Sequence, residues 1–94
     1  MKISEKKREK IFEQILSHLY SKSPRPIFTS HVAAEIARDE EFVKKLLNDL
    51  KKKKLVLEIK KSPKGEIYLK RSRWKLSDET YVLYKKIQEQ NKVY

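Results

Sequence analysis

A chain of 94 residues with 38% hydrophobic content can bury one small core, and it has too little apolar material for a deep substrate cavity as well. Twenty-four Lys and Arg stand against thirteen Asp and Glu, giving a net charge of +11; such an excess disfavours the compact state by self-repulsion and points to a polyanionic partner, usually nucleic acid. The absence of cysteine excludes disulfide staples and thiolate metal sites, and no apolar run reaches the roughly 18 residues of a membrane span.

The length predicts a single domain over residues 1–94. The opening MKISEKKREK lacks the apolar region of a signal peptide, so the expected location is the cytoplasm, at the nucleoid if the partner is DNA. A Lys/Glu-rich surface of the kind heat-adapted proteins carry is the plainer reading of part of the charge. One glycine and three prolines predict a chain that is nearly all helix and strand.

Ser4 is a candidate N-cap for a first helix, in which Ile11, Phe12, Ile15, Leu16, Leu19 and Tyr20 place two buried positions on each turn. The first turns of that helix, EKKREK, carry no apolar residue and are expected to project into solvent. Pro24 and Pro26 make 21–26 a loop. Ile27-Phe28 fits a brief strand that could pair with a later hairpin, and Thr29 or Ser30 is expected to cap the second helix.

Over Thr29–Val56 the pattern becomes specific. Val32, Ala33 and Ile36 share one helical face, and Val43, Leu46, Leu47 and Leu50 share another, at spacings of three, four and seven. Ala37-Arg38-Asp39 leaves room only for a sharp turn, with Asp39 placed to cap the next helix. Two short helices packed through such a turn form a helix-turn-helix, whose second helix can enter a DNA major groove.

After Lys51–Lys54, the residues Leu55, Leu57 and Ile59 alternate with Val56, Glu58 and Lys60, a strand period. Ser62-Pro63-Lys64-Gly65 reads as a tight turn, and Glu66–Leu76 as the returning strand. Ile67, Leu69, Trp74 and Leu76 are its inward candidates, and a bulge at Arg71-Ser72-Arg73 would absorb the break in alternation. Ser77 caps a final helix over about 78–91, with Asp78 and Glu79 in the first turn, as the helix dipole prefers. The expected fold class is α+β, mainly α, in the order α-α-α-β-β-α.

These residues resemble the winged helix-turn-helix proteins, in particular small DNA-binding regulators of archaea and their viruses. The resemblance covers roughly residues 10–76 and rests on Val32-Ala33, Ile36, Asp39, Val43, Leu47, Leu50 and Leu55-Val56, whose spacings agree with the family phrase. It implies a helix-turn-helix at about 29–54 and a wing hairpin at about 55–76. Two departures stand out. Ala37 and Lys54 occupy positions where the family often has glycine, which implies a turn without positive φ or mild strain at Lys54. Glu40 and Glu41 open the recognition helix, where they favour the dipole or, as readout, accept from cytosine N4.

With Val43, Leu47 and Leu50 assigned to the core, Lys44, Lys45, Asn48, Lys51 and Lys52 face outward from the recognition helix. Lysine can donate to guanine or to phosphate, and asparagine can bind adenine in a bidentate way; a solvated polar face is the plain alternative. Phe42 is expected to pack in the core rather than meet a thymine methyl. In the wing, Lys60, Lys61, Lys64, Lys70, Arg71 and Arg73 are candidate backbone or minor-groove contacts. Between Lys51 and Lys75, eleven basic residues face only Glu58 and Glu66. Ser30 and His31, at the start of the second helix, could meet a phosphate, though an ordinary cap and a surface histidine explain them equally.

On the last helix, Tyr81, Tyr84 and Ile87 are candidates for a two-fold dimer contact, with packing on the first helix as the alternative. The partner predicted from all this is double-stranded DNA, with a homodimer possible and no membrane, cofactor or small-molecule ligand expected. A winged-helix protein-interaction module and a non-specific nucleic-acid coat are the competing readings. No enzyme is expected: one glycine excludes Gly-rich phosphate loops, and His18 and His31 without cysteine make no familiar metal set.

Overall fold

A computed structural model describes residues 4–60 and 71–90. In chain order it contains α1 (Glu5–Lys22), β1 (Ile27–Phe28), α2 (Thr29–Ile36), α3 (Glu40–Lys52), β2 (Val56–Ile59), β3 (Arg73–Leu76) and α4 (Asp78–Gln90). This is a winged-helix architecture, mainly helical, with a three-stranded antiparallel sheet in the order β1-β3-β2. The brief strand expected before the second helix is present and pairs with β3, Ile27 opposite Trp74 and Phe28 opposite Arg73. The expected turn at Ser62–Gly65, and Ile67 and Leu69 of the returning strand, lie outside the described residues.

The helices form where apolar spacing and capping agree. Ser4 caps α1 by accepting from the Lys7 backbone N–H at 3.3 Å, and Ile11, Ile15, Leu16 and Leu19 bury its inner face. Asp39 caps α3 by accepting from the Phe42 N–H at 3.1 Å, and Val43, Leu46, Leu47 and Leu50 face the core. Ser77 does the same for α4 through the Thr80 N–H at 3.3 Å. Ile27, Val32, Ala33, Val56, Trp74 and Leu76 complete the core, and Phe42 packs against it as expected. Truncating one of the large α3 leucines to alanine would cost about 2–5 kcal/mol through lost burial and cavity.

The first turns of α1 are exposed as expected, except at Arg8. Arg8 forms an ion pair with Asp49 of α3, and its guanidinium lies 5.4 Å from the centre of the Phe12 ring. Lys53, the C-cap of α3, approaches the same ring at 5.1 Å, so these contacts tie α1 to the C-terminal end of α3.

Two capping expectations are corrected. Thr29 is the first residue of α2, the capping position falls on Phe28, and no side chain caps that helix. The Thr29 hydroxyl instead accepts from the indole Nε1–H of Trp74 at 2.8 Å, inside the core. The turn after α2 does use positive φ: Ala37 sits at φ 56° and ψ 48°. There the Arg38 N–H reaches the Ala33 carbonyl and the Ala37 N–H reaches that of Ala34, a Schellman closure. The end of α3 repeats it, with Lys54 at φ 63° and the Leu55 and Lys54 N–H groups bonded to Leu50 and Lys51 carbonyls. Both positions where glycine was expected keep the left-handed geometry without glycine, which costs about 1–2 kcal/mol each. The strain expected at Lys54 is therefore present, and a matching strain exists at Ala37.

The buried face of β2 is also not the one that its apolar alternation favours. Val56 is opposite Leu76 and Glu58 is opposite Trp74, so Val56 and Glu58 share the core side, while Leu57 is 42% exposed. Register against β3, whose Trp74 and Leu76 are both buried, decides the face. No bulge interrupts the paired residues Arg73–Leu76. Among the described residues, no helix is long and apolar enough to cross a membrane.

Candidate nucleic-acid interface

The short β1–α2 junction sets the geometry. Two residues of strand run directly into α2, so the start of that helix lies beside β3 and the base of the wing. The backbone N–H of Thr29 bonds to the Ser72 carbonyl at 3.4 Å, and the buried Thr29–Trp74 hydrogen bond fixes the same junction from inside.

Ser30, Lys44 and Arg71 consequently line one cleft of about 240 Å³, together with Phe28, Glu40 and Glu41. Three residues singled out from separate stretches thus meet: the second position of α2, the outer face of α3 and the base of the wing. Glu40 and Glu41 sit in the same cleft, in the first turn of α3, so the acidic pair faces Lys44 and Arg71 as well as the helix dipole.

Phe28 is the member that the sequence did not flag. The Arg71 guanidinium lies 5.6 Å and that of Arg73 6.0 Å from its ring centre, and His31 meets the ring edge-on at 5.7 Å. Pairing with Arg73 puts Phe28 at the wing base, and its place before α2 puts it beside His31. An aromatic residue followed by a helix start was the available signal; that two wing arginines converge on it depends on strand register.

The remaining candidates divide. Lys45 and Lys52 are exposed on α3, and Asn48 is half-buried there. Lys51 is drawn aside, its Nζ 2.7 Å from the Glu58 carboxylate on β2. Glu58 also accepts from the Ser72 hydroxyl. Burial pushes the Glu58 carboxyl pKa up, but the hydrogen bonds from Lys51 and Ser72 and the charges of Lys51 and Lys60 outweigh it, leaving the pKa below the ordinary value. Lys60 is exposed just beyond β2. Lys61, Lys64 and Lys70 lie outside the described residues.

Two of the three dimer candidates face inward contacts. Tyr20 of α1 lies 5.4 Å from Tyr81 and 5.7 Å from Tyr84, ring centre to ring centre. Burial, with Glu13 adding to it, raises the Tyr84 phenol pKa above its ordinary value. Val82, Leu83 and Ile87 remain exposed at 50%, 55% and 41%.

No protein-family model matches the chain, and no curated protein matches it. Among solved structures, it is similar to the S. aureus MepR–DNA complex, at 21% identity over 89% of this chain and 68% of that one, with a TM-score of 0.68. S. aureus MepR in its DNA-binding conformation is similar at 18% identity over 93% and 57% of the two chains, with a TM-score of 0.64. A mutant of Lactococcus lactis ZitR in apo form follows at 14% identity over 88% and 60%, with a TM-score of 0.63. At these identities the likeness speaks to the fold, which is winged-helix. Neither source is archaeal or viral, so the expected likeness to such regulators gains no support from them. The chain spans 49% to 60% of the length of the ZitR chains it matches.

Proposed function

We propose that this chain binds double-stranded DNA as a sequence-reading transcription regulator. The observation that carries the reading is the cleft in which Ser30, Lys44 and Arg71 meet, because one surface then presents a helix start, a recognition helix and a wing base. In this reading α3 enters the major groove, with Lys44 and Asn48 toward base edges and Lys45 and Lys52 toward phosphate. Ser30 and His31 meet the backbone, and Arg71, Arg73, Lys60, Lys61, Lys64 and Lys70 grip it or the minor groove. Glu40 and Glu41 repel phosphate near the cleft and so favour approach to cytosine N4 at a base edge. That MepR structures include a DNA complex supports the reading.

Selection of bound duplexes from a random pool tests it. Enrichment of a defined motif is expected, and a pool that stays random would favour non-specific coating instead. A palindromic motif would further support a homodimer. The exposed Val82, Leu83 and Ile87 favour such a contact, or, in the competing reading, a protein partner on α4.

A further inference from the structure

His18 and Lys22 stand one turn apart on α1, and the fold brings them together with Arg25 of the following turn, His31 of α2 and Arg73 of β3. They surround a cleft of about 360 Å³ floored by Pro26, Ile27 and Phe28. Among the described residues, Glu35 is its one carboxylate, and neither Lys22 nor Arg25 has a carboxylate within ion-pair distance. Lys22 and Arg25 repel one another across this cleft, and a multiply charged anionic partner offsets that repulsion.

Continuity identifies the partner. Phe28 lines this cleft and also the one holding Ser30, Lys44 and Arg71, so the two clefts adjoin at that residue. We propose that the cleft is a second seat for the DNA phosphodiester backbone, gripping the duplex that flanks the site read by α3. The proposal rests on the DNA-binding reading. Successive phosphates then follow a track from Arg71, past Arg73 and His31, to Lys22 and Arg25, while the apolar floor accommodates sugar edges.

The test compares a duplex trimmed to the selected motif with the same motif carrying about ten extra base pairs of arbitrary sequence on each side. The wild-type protein should bind the extended duplex roughly tenfold tighter, with a salt slope steeper by about two. The double substitution Lys22→Ala with Arg25→Ala should lose both gains and keep its affinity for the trimmed duplex; Lys22→Arg should keep them. Both positions are exposed, and circular dichroism checks that the variant folds. The proposal is overturned if flanks give no gain, or if the double variant loses equally on both duplexes. It is also overturned if inorganic phosphate saturably shifts the His18 and His31 imidazole resonances while flanks give no gain, because the cleft then holds a free anion. A wild-type protein that binds neither duplex would contradict the DNA-binding reading itself.

Discussion

The indole N–H of Trp74 donates to the hydroxyl of Thr29 at 2.8 Å, with both residues buried, and this bond ties the central strand of the sheet to the start of α2. The same two elements carry Arg73 and Ser30, so a core hydrogen bond sets the spacing between wing and helix-turn-helix. Thr29→Val keeps the shape and leaves the indole N–H unsatisfied, which should cost about 1–3 kcal/mol in urea unfolding. Thr29→Ser should recover most of that loss. Equal stability for wild type and Thr29→Val would mean that the bond is dispensable.

The two left-handed positions give a prediction of opposite sign. Ala37 and Lys54 hold φ 56° and 63°, where a Cβ is unfavourable. Ala37→Gly or Lys54→Gly relieves that strain and loses part of the gain to the greater entropy of the unfolded chain. A net stabilisation of about 0.5–1 kcal/mol is expected for each. Thermal or urea midpoints that fall on either substitution would contradict the strain.

Glu58 makes stability and binding respond to pH. Its pKa is held below the ordinary value in the folded protein, so its ionised form stabilises the fold at pH above the ordinary carboxylate range. That contribution disappears as pH falls through the lower folded value. The stability gap between wild type and Glu58→Gln should therefore be present at neutral pH and close in acid. The same substitution removes the partner of Lys51 and should raise affinity for all duplexes, measured at low salt. A gap that persists unchanged in acid would show that ionisation of Glu58 is not its source.

Sequence preference and backbone grip should separate on mutation. Lys44→Ala or Asn48→Ala should relax discrimination at individual base pairs by about 1–3 kcal/mol. Arg71→Ala should weaken binding to all sequences alike. Phe28→Leu, which removes the ring beneath Arg71 and Arg73, should act like Arg71→Ala. Competition with mismatched duplexes measures both, and equal effects from the two groups would mean that α3 is not the reader.

The parts of this account that depend on local pattern were legible in the sequence. The spacing of Val43, Leu46, Leu47 and Leu50, and the cap at Asp39, need only one helix and its first turn. What was not legible depends on pairing between distant residues. Thr29 looks like a cap until Trp74, forty-five residues away, claims its hydroxyl. Which face of the 55–60 alternation is buried is decided by the pairing of Val56 with Leu76, which leaves Leu57 exposed. His18 and His31 look unrelated until α1 and α2 pack around β1 and bring them to one cleft. Likewise the ion pair that Lys51 makes with Glu58 depends on β2 lying beside the end of α3. Positive φ at a turn does not require glycine, as Ala37 and Lys54 demonstrate.

The central claim is tested most directly by titrating salt against the binding of a labelled duplex followed by fluorescence anisotropy. Tight binding is expected at low salt, with the logarithm of the affinity falling linearly in the logarithm of salt concentration, by about 0.9 for each phosphate contact. Arg71→Ala should make that slope shallower by about one. Absence of binding at low salt, or an affinity that salt leaves unchanged, would contradict the account.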